Sequence, residues 1–223
     1  MGDAVIEITA WQLFLMGGPL MWPIVVLSIF LLATIMDRCF TFSLMDKDVP
    51  VLKEKVFAEV RKNNIKGAIV ACDISRSITS RLFKAGLIKF GGSKEDIVQA
   101  MDEVITFEVP QLERFLPAMA TISQVAPLLG LLGTVLGLAS TFHIIQVHAQ
   151  ALNPVTVADI ARGVWQSFVT TVSGLVVGIA AVIAYNHFCA RLELALRRME
   201  KNAADLVTFM LRVSEMTDPD EKE

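Results

Sequence analysis

The sequence predicts an all-α membrane protein with three spanning helices. Three observations carry that reading. The 223-residue chain is 54% hydrophobic and only 19% charged, with a mean hydropathy of +0.56, too apolar for an ordinary soluble domain. Its charges are unevenly spread. No Asp, Glu, Lys or Arg occurs from Ile8 to Met36, from Phe115 to Ala158, or from Gly163 to Ala190, and each gap exceeds the ~20 residues that a spanning helix needs. No run of period-two alternation and no internal repeat is present, so strands have no sequence support.

Residues 1–17 read as a short amphipathic segment at the outer membrane surface, with Ile6, Trp11, Leu13 and Phe14 on its apolar side. Gly17-Gly18-Pro19 breaks it, and the first span follows over 18–38. No basic residue precedes this span, only Asp3 and Glu7, so it reads as a retained helix rather than a cleaved signal peptide. Residues 39–117 read as a cytoplasmic helical domain. Val51, Leu52, Val56, Val60, Ile65, Ala68 and Ile69 recur at three- and four-residue spacing, with turns at Asn63-Asn64 and Gly91-Gly92. Ser93-Lys94-Glu95-Asp96 has the pattern of a capping box. From it one helix is predicted to run to about Val147, bent at Pro110, Pro117 and Pro127 rather than ended. The second span is assigned to 118–148, an outer loop to 149–158, the third span to 159–190, and a cytoplasmic helix and tail to 191–223. Thr156 to Asp159 offers a second capping box ahead of the third span, and the last residues, TDPDEKE, are expected to fray. The second and third helices are thus expected to extend beyond the bilayer into the cytoplasmic region.

Orientation follows from the cations. Of 20 Lys and Arg, 13 lie between Arg38 and Arg114, six lie from Arg191 onward, and none precedes the first span. The positive-inside rule then places the N-terminus outside and the C-terminus inside. Cys39, Cys72 and Cys189 fall on the reducing side, so no disulfide is expected. The cysteines have no metal-ligand spacing and the three histidines do not cluster. His143 and His148, near the outer end of the second span, are read as interfacial, and neither metal nor cofactor is expected. A net charge of −3 gives no nucleic-acid surface.

The polar residues within the spans need a reason. On a wheel of ~100° per residue, Ser123, Pro127, Gly130, Thr134 and Thr141 share a stripe, flanked by Ala126, Gly133, Gly137 and Ser140. On the third span Gln166, Thr170 and Ser173 share a stripe beside Gly163, Ser167, Thr171, Gly174, Gly178 and Ala181. Bulky apolar residues cover the opposite faces. Small faces let helix backbones approach closely and hydroxyls bond across helices. Gly130, Gly133, Gly137, Gly174 and Gly178 are therefore assigned to close helix packing. Thr134, Thr171, Gln166 and Thr170 are assigned to an ion pathway. The small faces are expected to exceed what one three-helix chain can satisfy, which points to a ring of copies. Asp159 is the only carboxylate residue between Glu113 and Glu193, so a proton path here needs a titratable group from another chain.

At these residues the chain closely resembles the MotA/TolQ/ExbB family, in its ExbB/TolQ-like branch. The resemblance is carried by GGPLMWPIVVLSIF, by LERFLPAMATISQVAPLLGLLGTVLGLASTF and by DIARGVWQSFVTTVSGLVVGIAAVIAYNHF. It implies a multi-pass protein of the bacterial cytoplasmic (inner) membrane, its outer side the periplasm. It implies a homo-pentamer around the single spans of an ExbD/TolR-like partner dimer, whose aspartate takes up protons from the periplasm. Inward ion flow would energise a periplasm-spanning effector similar to TonB or TolA. Thr134 and Thr171 match the family's pore threonines. Two positions depart from the pattern. Gln166 stands where such relatives usually have a glutamate, and Ala180 where they usually have a proline. The first departure leaves room for a sodium-driven member or a non-conducting scaffold. An enzyme is not expected, since no nucleophile–base pair, HExxH or phosphate loop occurs. A carrier acting alone is not expected either, because the chain has no inverted repeat.

Overall fold

The computed structural model describes residues 17–45, 49–75, 77–150, 154 and 156–217. Every element among them is an α-helix. In chain order these are α1 (Met21–Met45), α2 (Val49–Arg61), α3 (Ile65–Ile74), α4 (Ile78–Ile88), α5 (Lys94–Glu113), α6 (Leu116–Gln150) and α7 (Val157–Thr217). Three stretches, Met21–Ser43, Lys94–Gln150 and Ile160–Val213, contain helix long and apolar enough to cross a membrane, as the charge gaps predict. The amphipathic segment expected over residues 1–17 lies outside the described residues apart from Gly17, and so does most of the expected frayed tail.

The chain divides into two compact units. The first consists of the described part of Met1–Met36 with Leu116–Asn186, and holds the spanning segments. Along α6 the buried positions are Leu116, Met119, Ile122, Ala126, Gly130, Gly133, Gly137 and Thr141, a recurring three- and four-residue step that makes one continuous face. The opposite side exposes Leu128, Leu132, Val135 and Leu136. On α7 the exposed residues include Trp165, Phe168, Val172, Val176, Ile179 and Ile183. A bulky apolar surface turned outward is the expected arrangement where the solvent is lipid.

The second unit consists of Asp37–Phe115 with His187–Glu223. Short helices α2 to α5 pack in succession. Asn63, with φ +55°, turns the chain between α2 and α3, and Asn64 caps α3 by accepting the Gly67 N–H at 3.1 Å. The boundary between α3 and α4 at Ser75–Ser77 has no strong breaker in the sequence. Ser77 creates it by accepting the Ser80 N–H at 3.1 Å as an N-cap. Ser93 caps α5 in the same way, accepting from Asp96 N–H at 3.1 Å, as its motif predicts. The core of this unit is Leu52, Val56, Val60, Ala68, Leu82, Phe83, Ile97, Met101, Leu206 and Met210. The later part of α7 joins it through an ion pair of Lys53 with Asp205 at 2.5 Å and a Phe57–Phe209 ring contact at 4.7 Å.

The long helix predicted from residue 93 is not continuous. Pro110 and Pro127 are absorbed inside helices, but the chain is interrupted at Arg114–Phe115, just before Pro117. Proline has no N–H, so the Glu113 carbonyl four residues back loses its helical donor. A buried arginine caps the two carbonyls just before it. Arg38, 5% exposed, donates from Nη1 to the carbonyls of Leu112 (2.9 Å) and Gln111 (3.3 Å). Its guanidinium also pairs with Asp37 at 2.6 Å and sits 5.1 Å from the Phe115 ring centroid. Helix-terminal carbonyls need such donors when water is excluded. In the sequence Arg38 counts only among the cations that set orientation; the fold shows it capping the end of α5.

Two outcomes follow for this unit. Arg38→Met should lower its stability by roughly 2–4 kcal/mol, since hydrogen bonds from a charged donor are lost and buried carbonyls are left unpaired; thermal or denaturant melting of the purified chain measures it. Burial, with the Asp73 carboxylate beside it, pushes the Cys72 thiol up to about 11. At pH 8 about one part in a thousand is then thiolate, so Cys72 should resist iodoacetamide until the unit unfolds, while exposed Cys39 reacts first. Peptide mapping after timed alkylation reads the order.

Candidate functional site: the seam between α6 and α7

The two small-residue faces meet each other within one chain. Gly174 meets facing backbone most closely. A Cβ there would lie 2.5 Å from the Ala126 carbonyl oxygen, 2.9 Å from Gly130 Cα and 3.0 Å from Gly130 N. At Gly130 it would lie 3.1 Å from both Thr171 Cα and Thr171 O. These obstacles are backbone and cannot swing away. At Gly133 the obstacle is the Thr170 side chain, at Gly137 the Ser167 hydroxyl, at Gly163 the Thr141 hydroxyl and at Gly178 the Pro127 ring. The small faces are therefore occupied in cis, and the expectation that they exceed what one chain can satisfy is not met. Their antiparallel match, with Thr141 opposite Gly163 at one end and Pro127 opposite Gly178 at the other, could not be read from either helix alone.

Hydroxyls in the seam return their protons to the backbone. Thr141 donates to the Gly137 carbonyl at 2.9 Å, Ser167 to Gly163 at 2.9 Å, and Ser173 to Val169 at 2.8 Å. This back-bonding satisfies a hydroxyl inside its own helix. Thr170, 1% exposed, is held 3.0 Å from the carbonyls of both Gln166 and Ser167. It is packing material, enclosed against Gly133, and has no free side from which to meet an ion.

Thr171 behaves differently. Its hydroxyl crosses to α6 and donates to the Gly130 carbonyl at 3.0 Å. It lies 3.4 Å from the Thr134 hydroxyl oxygen, and Thr134 in turn donates to Leu131 O at 2.6 Å. Both protons can thus be placed on carbonyls, which leaves the oxygens' lone pairs as adjacent acceptors. Thr134 and Thr171 are each only partly buried. The structure brings these two candidates together at the edge of the seam. It does not bring Gln166 to them. Gln166 lies against Gly18, and its five-residue offset from Thr171 is about 140° of helix. Ser167, Gly163 and Thr141 belong to the seam and were missing from the assigned set. The four-residue repeat Gly163–Ser167, continued by Thr170/Thr171, Gly174 and Gly178, was the available signal. Among the described residues no group of three or more His, Cys, Asp or Glu could hold a metal.

Apolar helices of membrane-spanning length closed on one another by a glycine-packed seam make this a multi-pass α-helical membrane protein. The chain belongs to the MotA/TolQ/ExbB proton channel family, whose model matches residues 74–201. It is similar to the Tol-Pal system protein TolQ of Pseudomonas aeruginosa, at 34% identity over 129 residues, 53% of this chain and 54% of that protein. The match therefore spans about half of that relative's length. It is also similar to a putative biopolymer transport protein, ExbB-like 3, of Synechocystis, at 30% identity over 77% of this chain and 81% of that protein. Biopolymer transport protein ExbB of Xanthomonas campestris matches at 29% over 52% of this chain and 44% of that protein. These relatives and the three apolar helices make it a multi-pass protein of the bacterial inner membrane.

The seam orders its own variants. Gly174→Ala should destabilise the chain by about 1–3 kcal/mol, the usual cost of overpacking, because backbone stands on both sides of the new methyl. Gly137→Ala should cost less, since its one obstacle closer than 3.0 Å is the Ser167 hydroxyl, which can rotate. Melting of both variants in mild detergent, scored by residual helicity or by protease resistance, gives the ranking. An equal or reversed order would contradict the geometry.

Proposed function

We propose that the chain is the larger, ring-forming subunit of a proton-driven stator in the inner membrane. Five copies surround the single spans of an ExbD/TolR-like dimer. The N-terminus lies in the periplasm and the C-terminus in the cytoplasm. Protons enter from the periplasm on the partner's aspartate and leave inward, and the motion this drives is passed to a periplasm-spanning effector similar to TonB or TolA. The Tol-Pal and biopolymer-transport names of the relatives support this assignment.

The observation that carries it is the Thr134–Thr171 pair. Two acceptor oxygens 3.4 Å apart can solvate a protonated carboxyl or a hydrated proton without carrying charge themselves. The α6 and α7 spans supply no carboxylate of their own beside them; Asp159, at the start of α7, is the sole acid between Glu113 and Glu193. A charge-free site of this kind fits a carboxylate delivered by another chain. The bulky faces of α6 and α7, unoccupied within one chain, are the surfaces left for lipid and for neighbouring copies.

Thr134→Val and Thr171→Val keep the shape and remove the hydroxyl. Each should reduce proton flux by about tenfold, equivalent to roughly 1.4 kcal/mol at the barrier, with assembly intact. The Thr171 variant should also lose some stability, because the Gly130 carbonyl loses its cross-helix donor. Flux into liposomes holding the complete complex, with native mass spectrometry of the same sample, is the measurement. Full flux in both variants would reduce the two threonines to helix packing, whereas no flux through the unaltered complex, or a stable monomer in mild detergent, would leave a non-conducting scaffold as the better reading. Flux that follows a sodium gradient instead would assign a sodium-driven complex.

A further inference from the structure

Gln166 has a neighbour that its place in the sequence does not suggest. Gly18 stands at the turn before α1 with φ +71°, a backbone state that side-chain-bearing residues rarely adopt. A Cβ on Gly18 would fall on Nε2 of Gln166, 3.0 Å from its Cδ and 3.7 Å from its Cγ. The amide of Gln166 therefore fills the space that any side chain at position 18 would need. The turn is closed by Met21 N–H to Gly18 O at 3.1 Å and Trp22 N–H to Pro19 O at 3.4 Å, and Gly17 is buried. Around α7, Gln166 lies on the flank shared with buried Val169. Thr171 lies on the other flank, against Gly130.

We propose that Gln166 is a positioning residue whose side-chain amide seats the Gly17–Pro19 turn and so sets where α1 begins against α7. It is not a ligand of the ion path at Thr134 and Thr171. A neutral amide suits that task. It can lie against backbone in a low-dielectric setting without the cost of burying a charge, and it offers both donor and acceptor. A carboxylate at the same place would need a partner or a proton. This gives the departure at position 166 a physical reason within the chain. The proposal goes beyond the stator reading and does not depend on conduction.

The test is amide hydrogen exchange over residues 17–22 of the purified full-length chain, alone and in the complete complex. Gln166→Ala should speed exchange there by about tenfold or more, because a local opening is made easier. Gly18→Ala should do the same. The double variant should be less perturbed than the two effects combined, since removing the amide makes room for the new methyl. Should Gln166→Ala fail to purify, Gln166→Asn, one methylene shorter, carries the same expected sign. Unchanged exchange in the position-166 variants, or strict additivity in the double variant, would overturn the proposal. So would a Gln166→Glu variant whose exchange is normal while its proton-flux pH profile is displaced, for that would return position 166 to the ion path.

Discussion

The seam between α6 and α7 rests on one contact, the backbone-to-backbone approach of Gly174 to Ala126 and Gly130. A Cβ at Gly174 would stand 2.5 Å from one carbonyl oxygen and 2.9 Å from an α-carbon, so no other residue type fits without parting the helices. In lipid there is little hydrophobic drive to push helices together, and close van der Waals contact with hydrogen bonds must take its place. The helical cost of these glycines is offset there. The same closeness lets Thr171 reach across to the Gly130 carbonyl, and that bond holds its oxygen beside Thr134. The hydroxyl pair is thus a product of the glycine contact and would not exist at an ordinary helix separation of 8–10 Å.

A membrane unit must satisfy its polar groups internally, and this one does so with short-range economy. Thr34, Ser123, Thr141, Ser167 and Ser173 all return their protons to carbonyls three or four residues back. Thr171 departs from that habit. Its bond to the Gly130 carbonyl crosses to α6 at 3.0 Å, shorter than the 3.4 Å approach of the Ser167 hydroxyl to the Thr134 carbonyl, and it holds the Thr171 oxygen beside Thr134. In the second unit the equivalent problem is the pair of carbonyls freed at the α5–α6 interruption, and there a charged donor, Arg38, is used. Its aromatic neighbour Phe115 lends further stabilisation through the ring face.

Position 166 shows how two requirements can share one helix. Five residues separate it from Thr171, which turns the two side chains to different flanks of α7. One flank meets α6 and forms the hydroxyl pair; the other meets the turn ahead of α1. A helix of this kind can hold the start of α1 through a neutral amide without placing a titratable group beside the threonines.

The sequence by itself determined a good deal. Three charge-free gaps defined the spans, because the bilayer excludes charge regardless of how helices pack. The three- and four-residue repeats marked the buried side of α6 and put the bulky apolar residues on the opposite one, where Leu128, Leu132, Val135 and Leu136 are exposed, because helical period alone decides which residues share a face. Motifs such as GLLGTVLG pointed to the family. What only the tertiary structure decided was the identity of each face's neighbour. A wheel gives an angle and not a partner, so the glycines looked available to another subunit when they were already filled by Thr170, Ser167 and Pro127. Thr170 and Thr171 are adjacent in sequence, yet one is enclosed and the other stands at the seam's rim. Gln166 looked like a member of their group until Gly18, nearly 150 positions away, was found against it. Such pairings depend on the register of one helix against another, a long-range property that no local pattern encodes.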